Sequence, residues 1–174
     1  IAKEIKTLEI KLSNIVKINN LKLYRQGQKW TDVLSQNWNP GELQALDSLN
    51  KFKNEKINNY SEGRDRPDKN NTSMLSPHLH FGEISPERIF YEIDKKNIKN
   101  PDNKKKFLAE IGWREFSYSL LYYYPMIRNK PIQEKFEKFP WKKNLKYLKL
   151  WQKGKTGYPI VDAGMRQLYK TGWM

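Results

Sequence analysis

The sequence has no cysteine and only two histidines among its 174 residues. Without thiolates, the chain forms no disulfide framework, no Cys-ligated zinc site and no Cys-ligated iron–sulfur cluster. Long apolar runs are also missing, because no stretch approaches the roughly 18 residues of a membrane-spanning helix. The N-terminus does not follow the charged-then-apolar layout of a signal peptide. These absences predict a soluble protein of the cytoplasm without a membrane partner.

Acidic residues are few in comparison with basic ones. Lys and Arg number 33 against 19 Asp and Glu, which gives a net charge of +14. Clustered cations release counterions from phosphates, so polyanions are the first partners to consider. Many of the lysines are scattered among Asn and Ile, however, as AT-rich coding DNA would also produce. Aromatic residues make up 13% of the chain and include six Trp, which excludes a disordered polybasic tail.

The two ends of the chain predict a piece of a longer protein. It begins with Ile1 rather than Met and stops at Trp173-Met174, directly after the turn-like pair Thr171-Gly172. Residues 1–38 carry a weak helical pattern followed by an irregular stretch. We therefore expect 1–38 to be a linker into a helical domain and 39–174 to be the main domain.

Helix signals dominate the sequence, and alternating strand-like runs are scarce. The run Asn39-Pro40-Gly41-Glu42 offers a cap, a first-turn Pro and a first-turn Glu. The same cap-then-Pro signature recurs at Ser85 and at Asn100. The predicted helices run from about Pro40 to Lys53, from Pro86 to near Lys95, from Pro101 to Pro125, from Asn144 to Gln152 and from Pro159 through Tyr169. The polar stretch from Asn54 to Asn71 is predicted to be a surface loop or a short irregular passage, and the fold class is all-α.

Four stretches contain residues that suit chemistry. Thr72 and Ser73 offer two hydroxyls and free backbone N–H groups before a short helix, which suits a phosphate or pyrophosphate, although an ordinary N-cap is the simpler interpretation. Nearby Arg64 fits a phosphate contact or a solvated charge. His78 and His80 are two residues apart, but no Cys and few carboxylates could complete a metal site, so ordinary histidines are favoured.

The third and fourth stretches lie in predicted helical regions. Glu110, Trp113 and Arg114 are three and four residues apart and share one helical face. Either Trp113 is a core residue and Arg114 pairs with Glu110, or the three form a stacking platform with a polar edge for a flat ligand or an extruded base. The Gly-Lys-Thr triplet after Leu150 lacks the first Gly of a P-loop and follows no strand, which excludes nucleoside triphosphate binding there.

Together and in this order, the motifs resemble the photolyase and cryptochrome family, specifically the helical FAD-binding domain of class I cyclobutane pyrimidine dimer photolyases. The resemblance covers nearly the whole chain from about Trp30 onward. It implies that 39–174 is the N-terminal part of an incomplete FAD-binding domain. The matching text is WNPGE at 38–42, TSMLSPHLHFGEISP at 72–86, EIGWREF at 110–116, FPW at 139–141 and WQKGKTGYPIVDAGMRQLYKTGWM at 151–174.

The resemblance also implies roles for matching residues. Glu110 and Trp113 match the pair that receives the flipped pyrimidine dimer, and Arg64 matches a DNA-contacting residue. Trp141 matches the surface end of the tryptophan chain that photoreduces the flavin. Phe107 stands where many members have a flavin-contacting Trp. The residues implied in FAD binding are Tyr60, Thr72, Ser73, Met74, Leu75, Ser76, Phe107 and Arg114, and no metal is implied.

The implied activity is that of a deoxyribodipyrimidine photo-lyase, which repairs cyclobutane pyrimidine dimers in DNA by light-driven electron transfer from reduced FAD. A cryptochrome photoreceptor and an inactive DNA-binding remnant are the alternatives. Glu110 favours repair, since six-four photolyases and many animal cryptochromes carry other residues there. The family pattern continues past Met174 and includes an N-terminal domain for an antenna pigment. We therefore expect the isolated chain to bind FAD poorly, and we expect a monomer that acts on damaged DNA without a protein partner.

Overall fold

Regular structure is entirely helical in the computed structural model, which describes residues 29–173. The predicted all-α class is confirmed for these residues. The first 28 residues of the predicted linker lie outside them. The helices are α1 (Lys29–Asn37), α2 (Glu42–Lys51), α3 (Tyr60–Gly63), α4 (Ser76–His80), α5 (Pro86–Asp94), α6 (Pro101–Tyr123), α7 (Leu145–Gln152) and α8 (Pro159–Thr171).

Helices α5, α6 and α8 begin or end at the capping residues that the sequence predicts. The Ser85 hydroxyl accepts a hydrogen bond from the Arg88 N–H at 3.1 Å, and the Asn100 side chain accepts one from the Asp102 N–H at 2.9 Å. Both caps satisfy N–H groups that the first turn leaves without helical partners. Helix α8 ends where Gly172 adopts a left-handed φ of 74°, which glycine reaches without steric cost.

The start of α2 corrects the sequence-based prediction. The cap is Gly41 rather than Asn39, and no side chain caps the first turn. Gly41 has a φ of 110°, a region in which a residue with a Cβ is strained. The chain therefore turns into the helix at the glycine, and Pro40 precedes the helix instead of opening it.

The predicted surface loop from Asn54 to Asn71 is also wrong in its first half. The chain continues through a π-helical turn (Phe52–Lys56) and a 3₁₀ turn (Ile57–Asn59) into α3. Ile57 and Tyr60 are buried. Because most of their neighbours in the sequence are polar, the average composition of the stretch did not indicate these two buried side chains. Their burial nevertheless packs the segment against the core.

Two compact units make up the described residues. One spans residues 38–150, and the other comprises 29–37 and 151–173. The core of the larger unit extends from α2 to the first half of α6, and its buried side chains are Ala45, Leu49, Phe52, Ile57, Tyr60, Leu75, Leu79, Ile84, Ile89, Ile93, Ile98, Phe107 and Ile111. In the smaller unit α1 contacts α8, and Met165 is buried.

Helix α6 is fastened to α3 by a polar clamp and an aromatic cluster. The buried Asn103 side chain donates to the Asn58 carbonyl at 2.5 Å and accepts from the Ser61 N–H at 2.7 Å. The Phe107 ring packs 4.5 Å from the Phe52 ring and 5.2 Å from the Tyr60 ring, measured between centroids. Because Asn103 leaves no amide unpaired, its burial is compatible with a stable core. The second half of α6 carries its aromatic side chains largely exposed.

No helix within residues 29–173 is both long and apolar enough to span a membrane.

Candidate functional site

Arg64 and Glu110 meet although they are 46 residues apart in the sequence. Arg64 directly follows α3, and its guanidinium donates a hydrogen bond to the Glu110 carboxylate on α6. The same guanidinium lies 5.6 Å from the centre of the Tyr60 ring. Both members of the pair are half-buried. The structure thus brings together three predicted site residues and fixes the carboxylate in one orientation.

The electrostatics of this cluster follow from its contacts. The Glu110 carboxylate raises the pKa of Arg64, chiefly through the hydrogen bond that it accepts. Burial raises the pKa of the Tyr60 phenol, and the nearby Arg64 cation opposes that effect. Tyr60 is therefore neutral, and Arg64 is positively charged, over the whole range of ordinary pH.

Arg114 does not pair with Glu110, so that alternative is wrong. Its guanidinium donates to the Leu79 carbonyl at 3.1 Å and to the Glu115 carboxylate at 2.5 Å. It also lies 4.6 Å from the centre of the Tyr118 ring. Since Leu79 belongs to α4, Arg114 ties α4 to α6. Successive turns of α6 thus reach α3 through Glu110 and α4 through Arg114.

Trp113 is 61% exposed, which excludes the alternative that it is a core residue. Its nearest aromatic neighbour is Phe116, whose ring stands edge-on at 5.8 Å between centroids. An exposed indole beside an oriented carboxylate gives a flat apolar surface with a hydrogen-bonding edge. This is the equipment for stacking on an unpaired base.

The segment from Thr72 to Ser76 does not cap a helix in the predicted way. Helix α4 begins at Ser76, its cap is Leu75, and no side chain bonds to its first turn. The Thr72 hydroxyl instead donates to the Met74 sulfur at 3.4 Å. The backbone N–H groups of 72–76 donate to no other residue within 29–173. The ordinary N-cap interpretation is therefore wrong, and the backbone N–H donors of this segment are available.

Met74 has a φ of 56°, and it is the one non-glycine residue with positive φ in the described part of the chain. An unbranched side chain in this left-handed region costs of order 1 kcal/mol, and such conformations cluster at ligand-binding sites. Leu75, which follows, is right-handed, and alternation of left- and right-handed residues turns successive N–H groups toward one side, which favours an anion. Hydroxyls and N–H groups together form a donor set suited to phosphate oxygens.

Asn71 and Gly63 hold this segment against α3. The Asn71 side-chain amide donates to the Asn59 carbonyl at 2.8 Å. A Cβ on Gly63 would lie 2.3 Å from the Asn71 side-chain nitrogen, so only glycine allows this approach. The donor segment is consequently anchored next to the helix that carries Tyr60.

Two further predicted site residues lie in contrasting surroundings. Phe107 is 3% exposed, and its ring faces core aromatics. Trp141 is 81% exposed and packs on Phe139, with 4.6 Å between ring centroids. The structure therefore makes Phe107 a support for Tyr60 and leaves Trp141 open to solvent.

Sequence reasoning missed the pairing of His78 with Glu83. The His78 Nδ1 lies 2.6 Å from a Glu83 carboxylate oxygen, and the imidazole is buried. The hydrogen bond from His78 lowers the pKa of the Glu83 carboxyl. His80 stacks edge-on against Phe81. Between residues 29 and 173, no three His, Asp or Glu side chains are grouped to hold a metal ion.

The loop that contains Gly-Lys-Thr is hydrogen-bonded to the side chains of Asp162 and Arg166 in α8. One Asp162 carboxylate oxygen accepts from both the N–H and the hydroxyl of Thr156 at 2.7 Å, and the other accepts from the Gly157 N–H at 3.0 Å. Arg166 donates to the Gly154 carbonyl at 3.0 Å. The N–H groups of Gly154, Thr156 and Gly157 are thus already bonded within the protein.

Asp162 makes the stability of this loop dependent on pH. The Thr156 hydroxyl bond is the largest cause that lowers the pKa of the Asp162 carboxyl. A carboxyl with a lowered pKa stabilises the fold above its ordinary pKa of about 3.9, and that stabilisation is lost as the pH falls through the folded value. We expect the thermal stability advantage of the native protein over Asp162→Asn to be constant near neutrality and to shrink below about pH 4.

Thermal unfolding of both proteins between neutral and acidic pH checks this expectation. Asp32→Asn is the matched control, since Asp32 is an exposed aspartate in the same unit. An advantage over Asp162→Asn that stays constant down to the lowest pH would contradict the prediction.

Comparison with known proteins agrees with this geometry. The family model described as the FAD binding domain of DNA photolyase matches residues 107–174. A deoxyribodipyrimidine photo-lyase of Agrobacterium fabrum (strain C58) is 44% identical over 160 residues, which cover 91% of this chain and 33% of that protein. Cryptochrome-1 of Arabidopsis thaliana is 38% identical over 150 residues, which cover 82% of this chain and 22% of that protein.

A solved structure shares the fold as well. The crystal structure of a bacterial class III photolyase from Agrobacterium tumefaciens has a TM-score of 0.83 and 43% sequence identity, and the match covers 91% of this chain and 33% of that chain. The helical fold is thus that of a FAD-binding domain of the photolyase type. The chain belongs to the photolyase and cryptochrome family. It spans about a third of the length of the photolyases that it matches.

Proposed function

We propose that this protein repairs cyclobutane pyrimidine dimers in DNA in a light-driven reaction that uses reduced FAD. The observation that carries the proposal is the oriented Arg64–Glu110 pair beside the exposed Trp113 indole, in a chain of the DNA photolyase family. The assignment to class I remains a prediction, because the similar solved structure is described as class III.

The donor set of the segment from Thr72 to Ser76 fits the pyrophosphate of FAD. The Thr72, Ser73 and Ser76 hydroxyls and the backbone N–H groups around Met74 and Leu75 would hold its oxygens. Tyr60 and Arg114 would flank the bound group. Phe107 would contact it only through its small exposed fraction. Bound reduced FAD would supply, on excitation by light, the electron that splits the dimer, and would take that electron back.

The lesion would be held by α6. A dimer stacks and pairs poorly, so turning it out of the duplex costs less than turning out normal bases. Trp113 would pack against its rings. Glu110 would hydrogen-bond a base N–H, and Arg64 would keep the carboxylate oriented while also contacting the DNA.

Trp141 is proposed as the surface end of the electron-transfer chain that reduces the flavin. Its exposure of 81% supports this role, because an external reductant must reach it. An antenna pigment in a separate N-terminal domain, a monomeric state and a cytoplasmic location complete the proposal. Damaged DNA is the partner that we propose.

A blue-light photoreceptor is the second candidate, and the 38% identity with Cryptochrome-1 of Arabidopsis thaliana favours it. The two functions differ in their product. Repair removes dimers from DNA, whereas a photoreceptor responds to light without changing DNA.

The test illuminates the reduced full-length protein carrying this sequence in the presence of an oligonucleotide with one thymine dimer. We expect dimers to disappear in light and to persist in the dark. Glu110→Gln should lower the repair yield by roughly two- to tenfold, because it replaces a charged hydrogen-bond acceptor with a neutral one. Glu87→Gln, an exposed change on α5, should not alter the yield.

The other outcomes separate the alternatives. Light-dependent flavin chemistry without dimer loss would support the photoreceptor. DNA binding without any flavin or light response would identify an inactive remnant.

A further inference from the structure

Residues 128–149, which we call the basic segment, carry far more positive than negative charge. The acidic residues are Glu134 and Glu137. All of the cations are exposed. They are Arg128, Lys130, Lys135, Lys138, Lys142, Lys143, Lys146 and Lys149.

None of these cations forms an ion pair in the described part of the chain, although Arg128 donates to the Pro125 carbonyl at 3.3 Å and Lys135 lies 5.1 Å from the centre of the Phe136 ring. The ion pairs of the described residues all lie between Asp47 and Glu115, and they include Lys51 with Asp47, Lys69 with Glu62 and Lys104 with Asp94. No residue from 116 to 173 forms an ion pair within the described part of the chain. A charge that the fold does not use internally is available to an external anion.

Four of these lysines lie in α7 or directly before it. Lys142 and Lys143 directly precede the cap residue Asn144. Lys146 and Lys149 are three residues apart in α7 and therefore lie on one face. The Asn144 side chain already accepts hydrogen bonds from the Lys146 and Tyr147 N–H groups, each at 3.1 Å. The attraction for an anion thus comes from the lysine side chains and not from the helix N-terminus.

Exposed aromatic rings lie between these lysines. Phe136, Phe139, Trp141 and Tyr147 are all exposed. Lysines alternating with exposed aromatics are typical of surfaces that bind nucleic acid, where cations meet phosphates. A basic amphipathic helix that lies on anionic lipid is the competing interpretation, but α7 has only eight residues.

We propose that the basic segment is a second DNA-contact surface, which binds phosphates of the duplex away from the lesion without preference for damage or sequence. This inference rests on the proposed function for its choice of partner. The Arg64, Glu110 and Trp113 cluster selects the dimer, and the basic segment supplies affinity for any duplex.

The test compares two triple variants of the full-length protein that remove the same charge. Lys142→Gln/Lys143→Gln/Lys146→Gln changes the basic segment. Lys51→Gln/Lys69→Gln/Lys104→Gln changes three lysines that are already ion-paired. Binding is measured at several salt concentrations with an undamaged duplex and with the same duplex carrying one dimer.

We expect the basic-segment variant to bind both duplexes more weakly by the same factor. The slope of log K against log salt should decrease by about 0.9 for each phosphate that the variant no longer neutralises, or up to about 3 in all. The matched variant should keep the native slope. Light-driven repair at saturating DNA should be unchanged in both, and circular dichroism should show that both are folded.

Three results would overturn the inference. An unchanged slope would show that the segment does not contact DNA, and an equal decrease of affinity in both variants would show that only net charge matters. If the basic-segment variant bound phosphatidylserine vesicles more weakly than the native protein but kept the native affinity for DNA, the segment would be assigned to a membrane surface. A native protein that binds undamaged duplex through this segment but never repairs dimers would contradict the proposed function and leave the surface in place.

Discussion

Replacing Phe107 with alanine is expected to lower the free energy of unfolding by about 3–5 kcal/mol. The ring is 3% exposed and packs on Phe52 and Tyr60, so its removal leaves a cavity at the junction of α3 and α6. Urea unfolding of the full-length protein, followed by circular dichroism, measures the decrease. Because Tyr60 rests on this ring, flavin absorbance should weaken in the same variant.

Two controls separate packing from a direct cofactor contact. Phe107→Leu retains most of the buried volume and should cost less than Phe107→Ala. Phe81→Ala removes a ring that is 76% exposed and should change stability by no more than about 0.5 kcal/mol. A Phe107→Ala protein that keeps native stability but no longer binds flavin would contradict the packing role and would instead indicate direct contact.

Replacing Trp113 with alanine is expected to weaken binding of dimer-containing duplex by about 5- to 150-fold. Removal of a base-stacking aromatic costs about 1–3 kcal/mol, and an indole that is 61% exposed has little packing of its own to lose. Affinity for undamaged duplex should stay native, because a base that remains in the stack does not reach the indole. Equilibrium binding to matched duplexes with and without one dimer measures both affinities.

The controls for Trp113 test stacking against general hydrophobicity. Trp113→Phe retains an aromatic face and should recover part of the affinity. Phe90→Ala removes an exposed ring from α5 and should leave both affinities native. An equal decrease of affinity for damaged and undamaged duplex would contradict the role of Trp113 in selecting the lesion.

The helices could be predicted where local chemistry sets their ends. Ser85 and Asn100 cap their helices with side-chain oxygens, and Gly172 ends α8. Each of these helix ends is determined by a few residues that are adjacent in the sequence. The segment after Phe52 was missed for the opposite reason. Its burial depends on the contact of Ile57 and Tyr60 with α6. The average composition of the stretch is polar and gives no information about that tertiary contact.

The candidate site divides in the same way. The spacing of Glu110 and Trp113 on one helix indicated that they are neighbours, because helical geometry alone decides it. The partner of Glu110 could not be derived, since helical spacing pointed to Arg114 and the contact with Arg64 depends on the tertiary fold. The residue types around Thr72 indicated phosphate chemistry, but the left-handed backbone of Met74 has no local sequence signal.

Helix α6 fixes the spacing between the residues of the candidate site that it carries. Glu110 and Arg114 lie one turn apart on it, about 6 Å along the axis at 1.5 Å per residue. Asn103 and Phe107 lock the preceding turns to α3, and Arg114 locks the following turn to α4. In the proposed function, the axial spacing between a lesion bound at Glu110 and a cofactor bound beside Arg114 would therefore be set by this one helix. Loop movements elsewhere in the chain would leave the separation of these two residues along α6 unchanged.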